Sequence, residues 1–493
     1  MERGEKQPII NQSFLGSNAD RINYRSVNRK GHEQVRTVDD VLNFIGFGPF
    51  QLIAFFLGGV TYMSYALDDA TFTFVNIKLT GLWNLTEFQF SILPAVTGVP
   101  NVIGALFFSY LGDVYGRVWP YALCIAVIGV FALASAFATS FLIFFVLRMI
   151  ASIGVGGITN VLLPMLVEFM PVKSRGKVLV CVSLVQAVGY SAASGLAWWL
   201  IPTYEKNGWR YFIIAAAVPS LVTAGFRLMF YFQSPRFHVA KQQYAQAWRT
   251  LSIMSKMNGK DLNTFMQPEE LRYSLEHKQV EKKTILLKKS LTIFTLQYLR
   301  RTVCLSIMYM ISSNAANVAT TFLPAVLQDM GASPYFTPFV GYLAQIPGLM
   351  LMAIIIDWPE FGRLNSLRLY TLLTAVFFLL FAFVRTAVTI PLFVVLIYFF
   401  MQSLIPVLNT YISESYPTEI RAMAFGFIGL GNQFAGIGLP FLGGYLADLA
   451  KKSPWLYSSV WSGMYFVQLV TSLILNQETR GRKLTDIVTT TQA

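Results

Sequence analysis

Two adjacent carboxylates, Asp68 and Asp69, interrupt a long apolar run, and no other charged residue occurs between Asp40 and Lys78. An acid in hydrocarbon is costly, so it turns toward a cavity or a partner. Two carboxylates this close in a low dielectric do not both ionise cheaply, which suits one of them to take up a proton or bind a cation. Thr61, Tyr65 and Asp68 recur at helical spacing on one polar face, and Tyr62, Tyr65 and Asp69 nearly share it. Arg148 and Arg227 lie inside apolar runs and are the available counter-charges. Either one pairs with the acids, holds an anionic solute, or serves as a structural arginine with a snorkelling head.

Further polar residues recur along other apolar runs. One stripe is Asn314, Asn317, Thr320 and Thr321; another is Ser183, Gln186, Tyr190 and Ser194. Gln345, Gln402, Asn409, Asn432 and Gln433 stand singly or in a pair. Together they read as the lining of a polar cavity, although any one of them can simply bridge two helices. Other chemistries are excluded. His32, His238 and His277 are scattered, and Cys124, Cys181 and Cys304 form neither a disulfide framework nor a metal spacing, so no metal is expected. Gly154-Val-Gly156-Gly157 and Gly429-Leu-Gly431 follow no strand, and no Walker lysine exists. No ATP, no cofactor and no catalytic constellation is expected, so the chain does not read as an enzyme.

The elements that hold these residues are spanning helices. Hydrophobic residues make up 55% of the 493-residue chain and charged residues only 13%, with 41 Phe. A soluble domain carries roughly 25% charged residues. A spanning helix needs about 20 apolar residues. Twelve such runs occur, near 47–76, 89–111, 117–138, 140–169, 177–202, 210–232, 302–328, 335–356, 366–386, 388–413, 422–447 and 455–475. The expected fold is all-α: a polytopic membrane protein whose partner is the lipid bilayer. It divides into an N-terminal tail (1–46), a first six-helix half (47–232), a central loop (233–301), a second half (302–475) and a C-terminal tail (476–493). The first 40 residues lack an apolar signal segment and read as a disordered cytoplasmic tail. In the central loop, 237–254 and 271–287 have partial helical periodicity.

The net charge of +13 does not indicate nucleic acid here, because its distribution follows the membrane. If both termini are cytoplasmic, the tails and loops of that side hold 30 of the 38 Lys and Arg. The opposite side holds only Lys78, Lys206, Arg210, Arg385, Lys451 and Lys452. Asn84-Leu85-Thr86 is a glycosylation sequon on that opposite side.

The chain repeats itself at half its length. Glu168-Phe-Met-Pro171-Val-Lys-Ser-Arg175 matches Glu414-Ser-Tyr-Pro417-Thr-Glu-Ile-Arg421, and Gly116-Arg117 matches Gly362-Arg363, both at an offset of 246. Gly112, Asp113, Gly116 and Arg117 form a turn at a helix junction. Glu168 with Arg175, and Glu414 with Arg421, stand at later junctions, where opposite charges can latch one conformation and part in another. This layout resembles the major facilitator superfamily, in which two six-helix halves face a central solute site. Gly112-Asp113-Val-Tyr-Gly116-Arg117 is similar to the superfamily's signature loop. Thr37 through Gln51, Gly208-Trp209-Arg210, Ser234-Pro235-Arg236-Phe237 and Glu478-Thr479-Arg480-Gly481-Arg482 resemble the synaptic vesicle 2-related transporters and, more distantly, sugar porters and organic ion transporters. Gln233 stands where the resembled motif has an acid, and Tyr65 where related first helices carry one.

The resemblance implies a monomer that moves a small organic solute, an organic ion or a sugar-like molecule, by alternating access, with a proton as candidate coupling ion. Plasma membrane and secretory or synaptic-type vesicle membrane both fit. The alternative is a non-transporting vesicle-membrane receptor or regulatory protein that keeps the fold.

Overall fold

The computed structural model describes residues 38–229, 232–267, 296–356, 358, 360–384, 386, 388–416, 418–475 and 478–479. Among them twelve long helical segments run in sequence: α1 Pro49–Trp83, α2 Glu87–Tyr115, α3 Val118–Ser135, α4 Phe141–Phe169, α5 Arg175–Thr203 and α6 Gly208–Met229 in the first half. The second half has α7 296–329, α8 Phe336–Ile355, α9 Gly362–Phe381, α10 Thr389–Ser415, α11 Thr418–Ala450 and α12 Pro454–Ile474. Ten of the twelve are long and apolar enough to cross a membrane by length and composition; α7 and α12 complete the set. No strand occurs among the described residues.

Local signals explain the boundaries. Pro49 opens α1 where its missing N–H costs nothing, the Gln51 side chain accepts from the Gly48 N–H at 3.1 Å, and Asn84 ends the helix with φ of 52°. The helix runs seven residues beyond the predicted end at 76, so Asp68 is its twentieth residue of 35 (68 − 49 + 1). The acids therefore sit near the centre of the helix, not toward one end as the sequence boundaries imply. Two breaks were not visible in the hydropathy. A π-turn at Ile311–Ala315 interrupts α7 between Leu296–Met310 and Ala316–Asp329. A second break divides α10 into Thr389–Met401 and Leu404–Ser415. Such turns widen the backbone ladder and concentrate at functional positions.

Glycine lets α2 and α4 touch backbone to backbone. A Cβ at Gly156 would lie 1.9 Å from the Asn101 carbonyl oxygen, and one at Gly104 would lie 1.9 Å from the Ile153 oxygen. Larger apolar chains face outward, among them Leu106, Leu142, Phe383 and Val470, each at least 60% exposed. In a bilayer these are solvated by lipid.

At the end where the described residues begin and end, hereafter the tail side, three short helices pack on the first half. Val38–Ile45 buries Val38, Val41, Leu42 and Ile45, so helical structure reaches into the predicted tail. Pro235–Ala240 and Tyr244–Met257 follow α6, the second of these overlapping the predicted 237–254. Asn258 locks this layer down: its Oδ1 accepts from the Phe50 N–H at 3.2 Å, and its Nδ2 donates to Gln51 Oε1 at 2.8 Å. The expected helix at 271–287 and the tails 1–37 and 480–493 lie outside the described residues.

Candidate functional site

The centre of the first half is an ion pair. Arg148 Nη1 donates to Asp68 Oδ1 at 2.8 Å, and Nη2 donates to Asp68 Oδ2 at 3.2 Å and to the Asp68 carbonyl at 3.1 Å. Asp68 is 3% exposed and Arg148 is 1% exposed. The guanidinium also lies 4.6 Å from the centroid of the Phe72 ring. Of the two candidate counter-charges, the fold selects Arg148. Arg227 points elsewhere, donating to Met165 Sδ at 3.0 Å and lying 5.1 Å from the Tyr121 ring.

The polar face read along the first helix divides in two. Thr61 and Asp68 turn into the first half, where Thr61 bonds the Tyr121 hydroxyl. Tyr65 and Asp69 lie further round α1 and are only half-buried. The Tyr190 hydroxyl on α5 donates to Asp69 Oδ2 at 2.8 Å. The Tyr190 ring stacks on Tyr342 of α8, with centroids 5.4 Å apart and planes at 10°. Tyr342 in turn meets Tyr398 of α10 edge-on at 4.8 Å. A chain of contacts thus leads from an acid in one half to aromatic rings in the other. No sequence signal picks out Tyr342 or Tyr398, because only packing brings α8 and α10 to this point.

The remaining candidates are distributed around the same centre. Asn314, within the π-turn of α7, donates to the Asn432 carbonyl at 2.6 Å and to its Oδ1 at 2.7 Å on α11. Asn409 on α10 is half-buried. Gln186 and Gln433 are half-buried, and Asn317 is exposed although it lies in mid-helix. Gln345 is 5% exposed, and its Oε1 has no hydrogen-bond partner among the described residues. Thr320 and Thr321 are buried and bond back to the Asn317 carbonyl, so they brace α7.

The tail-side charges pair differently from the expectation. Arg117 meets Glu168 at 3.1 Å, and Arg363 meets Glu414 at 3.2 Å. Adding 246 to the first pair yields the second, so the repeat extends to the ion pairs themselves. Each pair ties the start of one helix to the end of the next within a single half: α3 to α4, and α9 to α10. The expected Glu168–Arg175 partnership is replaced, because Arg175 turns to Asp39, which Arg236 also contacts. Burial pushes the Asp39 carboxyl up, but the hydrogen bond from Arg175 and the charges of both arginines overcome this and hold it below the usual carboxylate range. Asp113 is exposed and forms no ion pair with a described residue. The Arg421 side chain, and with it the Glu414–Arg421 expectation, lies outside the described residues. Gly112 is buried, and a Cβ there would have only the Arg117 side chain near it, at 3.9 Å.

The two halves meet on the far side. Ser191 Oγ donates to the Tyr342 carbonyl at 3.0 Å, and Trp198 stacks on Phe339 at 5.6 Å. Asp448 at the end of α11 accepts from the Glu87 N–H at 3.2 Å and the Phe88 N–H at 2.9 Å, capping the start of α2 across the interface. Beneath that cap Asn76 Nδ2 donates to buried Glu87 Oε2 at 2.7 Å. Glu87 and Asp448 carry this closure, and nothing in their sequence spacing marks them. Asn84 is exposed at the same end, between α1 and α2.

A family model described as "Sugar (and other) transporter" matches residues 49–490. The chain belongs to this sugar transporter family, within the major facilitator superfamily. As a member of that family it is a multi-pass membrane transporter of a solute and not an enzyme. Among curated relatives, the putative transporter svop-1 of Caenorhabditis elegans is 24% identical over 92% of this chain and 88% of its own length. Organic cation/carnitine transporter 7 of Arabidopsis thaliana is 25% identical over 92% of this chain and 96% of its own. The synaptic vesicle 2-related protein of Xenopus laevis is 25% identical over 91% and 82%. Among solved structures, the inward-open xylose transporter XylE from E. coli superposes with a TM-score of 0.70 over 88% of this chain and 98% of that chain, at 17% identity. The fold of the sugar transporter family is therefore present across both halves.

Proposed function

We propose that this transporter moves a small organic solute, an organic ion or a sugar-like molecule, by alternating access coupled to protons. The observation that carries the reading is the buried Asp68–Arg148 pair beside Asp69, at the middle of α1 and in the far-side third of α4. A carboxylate held by a guanidinium in low dielectric has two arrangements, paired and separated, and taking up a proton favours separation. The sequence has no ATP loop, so uphill transport draws on an ion gradient. The names of relatives and structural neighbours fit the class: one is an organic cation/carnitine transporter and another a D-xylose-proton symporter.

The far-side contacts represent one end of the cycle, in which solute reaches the centre from the tail side. The other end requires the Tyr190–Tyr342 stack and the Asp448 cap to part. With the tail side cytoplasmic, as the distribution of Lys and Arg favours, this form faces inward. A plasma membrane or a secretory vesicle membrane is the setting.

The test is uptake into proteoliposomes under an imposed proton gradient, with organic cations, organic anions and sugars. Wild type is compared with the Asp68→Asn, Asp69→Asn double variant. Uptake that follows the gradient and disappears in the variant is expected. Gradient-independent uptake that survives in the variant would make the protein a facilitator and the acids structural. Folded protein that takes up nothing would point to the receptor alternative.

A further inference from the structure

We infer that the solute is a small organic cation, with its ammonium against Asp69 and its apolar part among Tyr65, Tyr190 and Tyr342; this rests on the transport reading above. The argument begins with charge. Asp68 and Arg148 neutralise each other through two carboxylate hydrogen bonds; the arginine also donates to the Asp68 carbonyl, and its buried Nε has no partner among the described residues. Asp69 has a neutral donor, the Tyr190 hydroxyl, at 2.8 Å. The formal charges of Asp68, Asp69 and Arg148 sum to −1. Arg227 does not balance it, being committed to Met165 and the Tyr121 ring. A net negative charge in a low-dielectric centre calls for a proton or a cation.

The surroundings complement an ammonium and oppose the other solute classes. Tyrosine faces attract cations. Tyr65 follows Asp69 back along α1 at i−4, and the Tyr190 ring lies flat against Tyr342 at 5.4 Å. Gln345 is one turn along α8 from Tyr342, 5% exposed, with an Oε1 that lacks a hydrogen-bond partner among the described residues. That oxygen is an acceptor, suited to an N–H. An anion would meet the Asp69 carboxylate, with the charge of the nearby guanidinium already neutralised by Asp68. A neutral sugar would leave the charge to be compensated by a proton alone.

One carboxylate cannot hold a proton and an ammonium together, so cation binding weakens on acidification. The titratable or charged groups that face Asp69 are Asp68 and Tyr65 on α1, Arg148 on α4, Tyr190 on α5 and Tyr342 on α8.

The experiment is equilibrium binding to the full-length protein in nanodiscs. The probes are ethylammonium, phenethylammonium, tetraethylammonium, D-glucose and benzoate, each also measured for uptake. At least one ammonium probe is expected to bind, more weakly at acid pH, and Asp69→Asn to weaken it by about tenfold or more. Unchanged ammonium affinity in Asp69→Asn overturns the inference. So does binding of glucose or benzoate without any ammonium, which leaves the transport reading standing. Neither binding nor uptake of any probe overturns both. If Asp69→Asn does not fold, Tyr190→Phe carries the test, since it keeps the carboxylate but removes its hydrogen bond. A several-fold weaker affinity supports the site, and an unchanged one overturns it.

Discussion

Arg148 is 1% exposed, and it is tolerable there because Asp68 and the Phe72 ring cover it. Removing one member of such a pair strands the other, at a cost of about 3–5 kcal/mol. Removing both leaves two neutral polar groups and costs less. Asp68→Asn and Arg148→Gln should each lower the thermal unfolding midpoint in detergent sharply, and the double variant should recover much of the loss. A double variant as unstable as the sum of the singles would show that the two residues act independently. The acids themselves were legible in the sequence, since two charges in a 37-residue uncharged stretch stand out. Their partners were not: Arg148 lies 80 positions away, and Arg227 satisfied the same sequence criteria.

Helix ends show what the duplication preserves and what it changes. Gly116 has φ of 88° and Gly362 φ of 66°, a backbone region that penalises a side chain. A Cβ at either glycine would also strike the residue packed on it, Gln233 in the first half and Glu478 in the second. Glu478 accepts from the Arg363 N–H at 2.8 Å and the Leu364 N–H at 2.9 Å, so its charge meets the positive end of α9. Gln233 holds the matching place before α3 and donates to the Tyr115 carbonyl at 3.2 Å. Glu478→Gln should therefore fold and keep transport, yet lose about 1 kcal/mol of stability in thermal unfolding. A variant as stable as wild type would mean that the carboxylate contributes shape and not charge. The sequence shows the missing acid at Gln233. It does not show that Gln233 and Glu478 cover equivalent glycines.

On the scale of the whole transporter, the halves are held together at the far side by aromatic stacking and by one cross-half cap. Asp448 supplies that cap to two backbone N–H groups of α2. Asp448→Ala removes both hydrogen bonds and should shift the balance of open and closed far sides by on the order of tenfold. Spin labels at Leu82 and Trp455, both exposed near the far side, report it as a longer distance population. Exposed Cys181 must be replaced first. An unchanged distance distribution would remove the cap from the gating scheme.

Amino-acid order alone determined the helical, membrane-spanning architecture and the two-fold repeat. The bilayer demands long apolar segments whose backbone bonds are satisfied internally, and that demand is written locally in each run of residues. The offset of 246 likewise survives in short motifs. Tertiary structure alone decided which charges meet. It joined Asp68 to Arg148, Arg117 to Glu168 and Arg363 to Glu414, and placed Asp69 under a tyrosine from α5. It also broke α7 at Asn314 and closed the far side with Asp448. Those choices depend on the rotation of each helix about its axis and on contacts between segments far apart in sequence, and neither is encoded in the periodicity of a single helix.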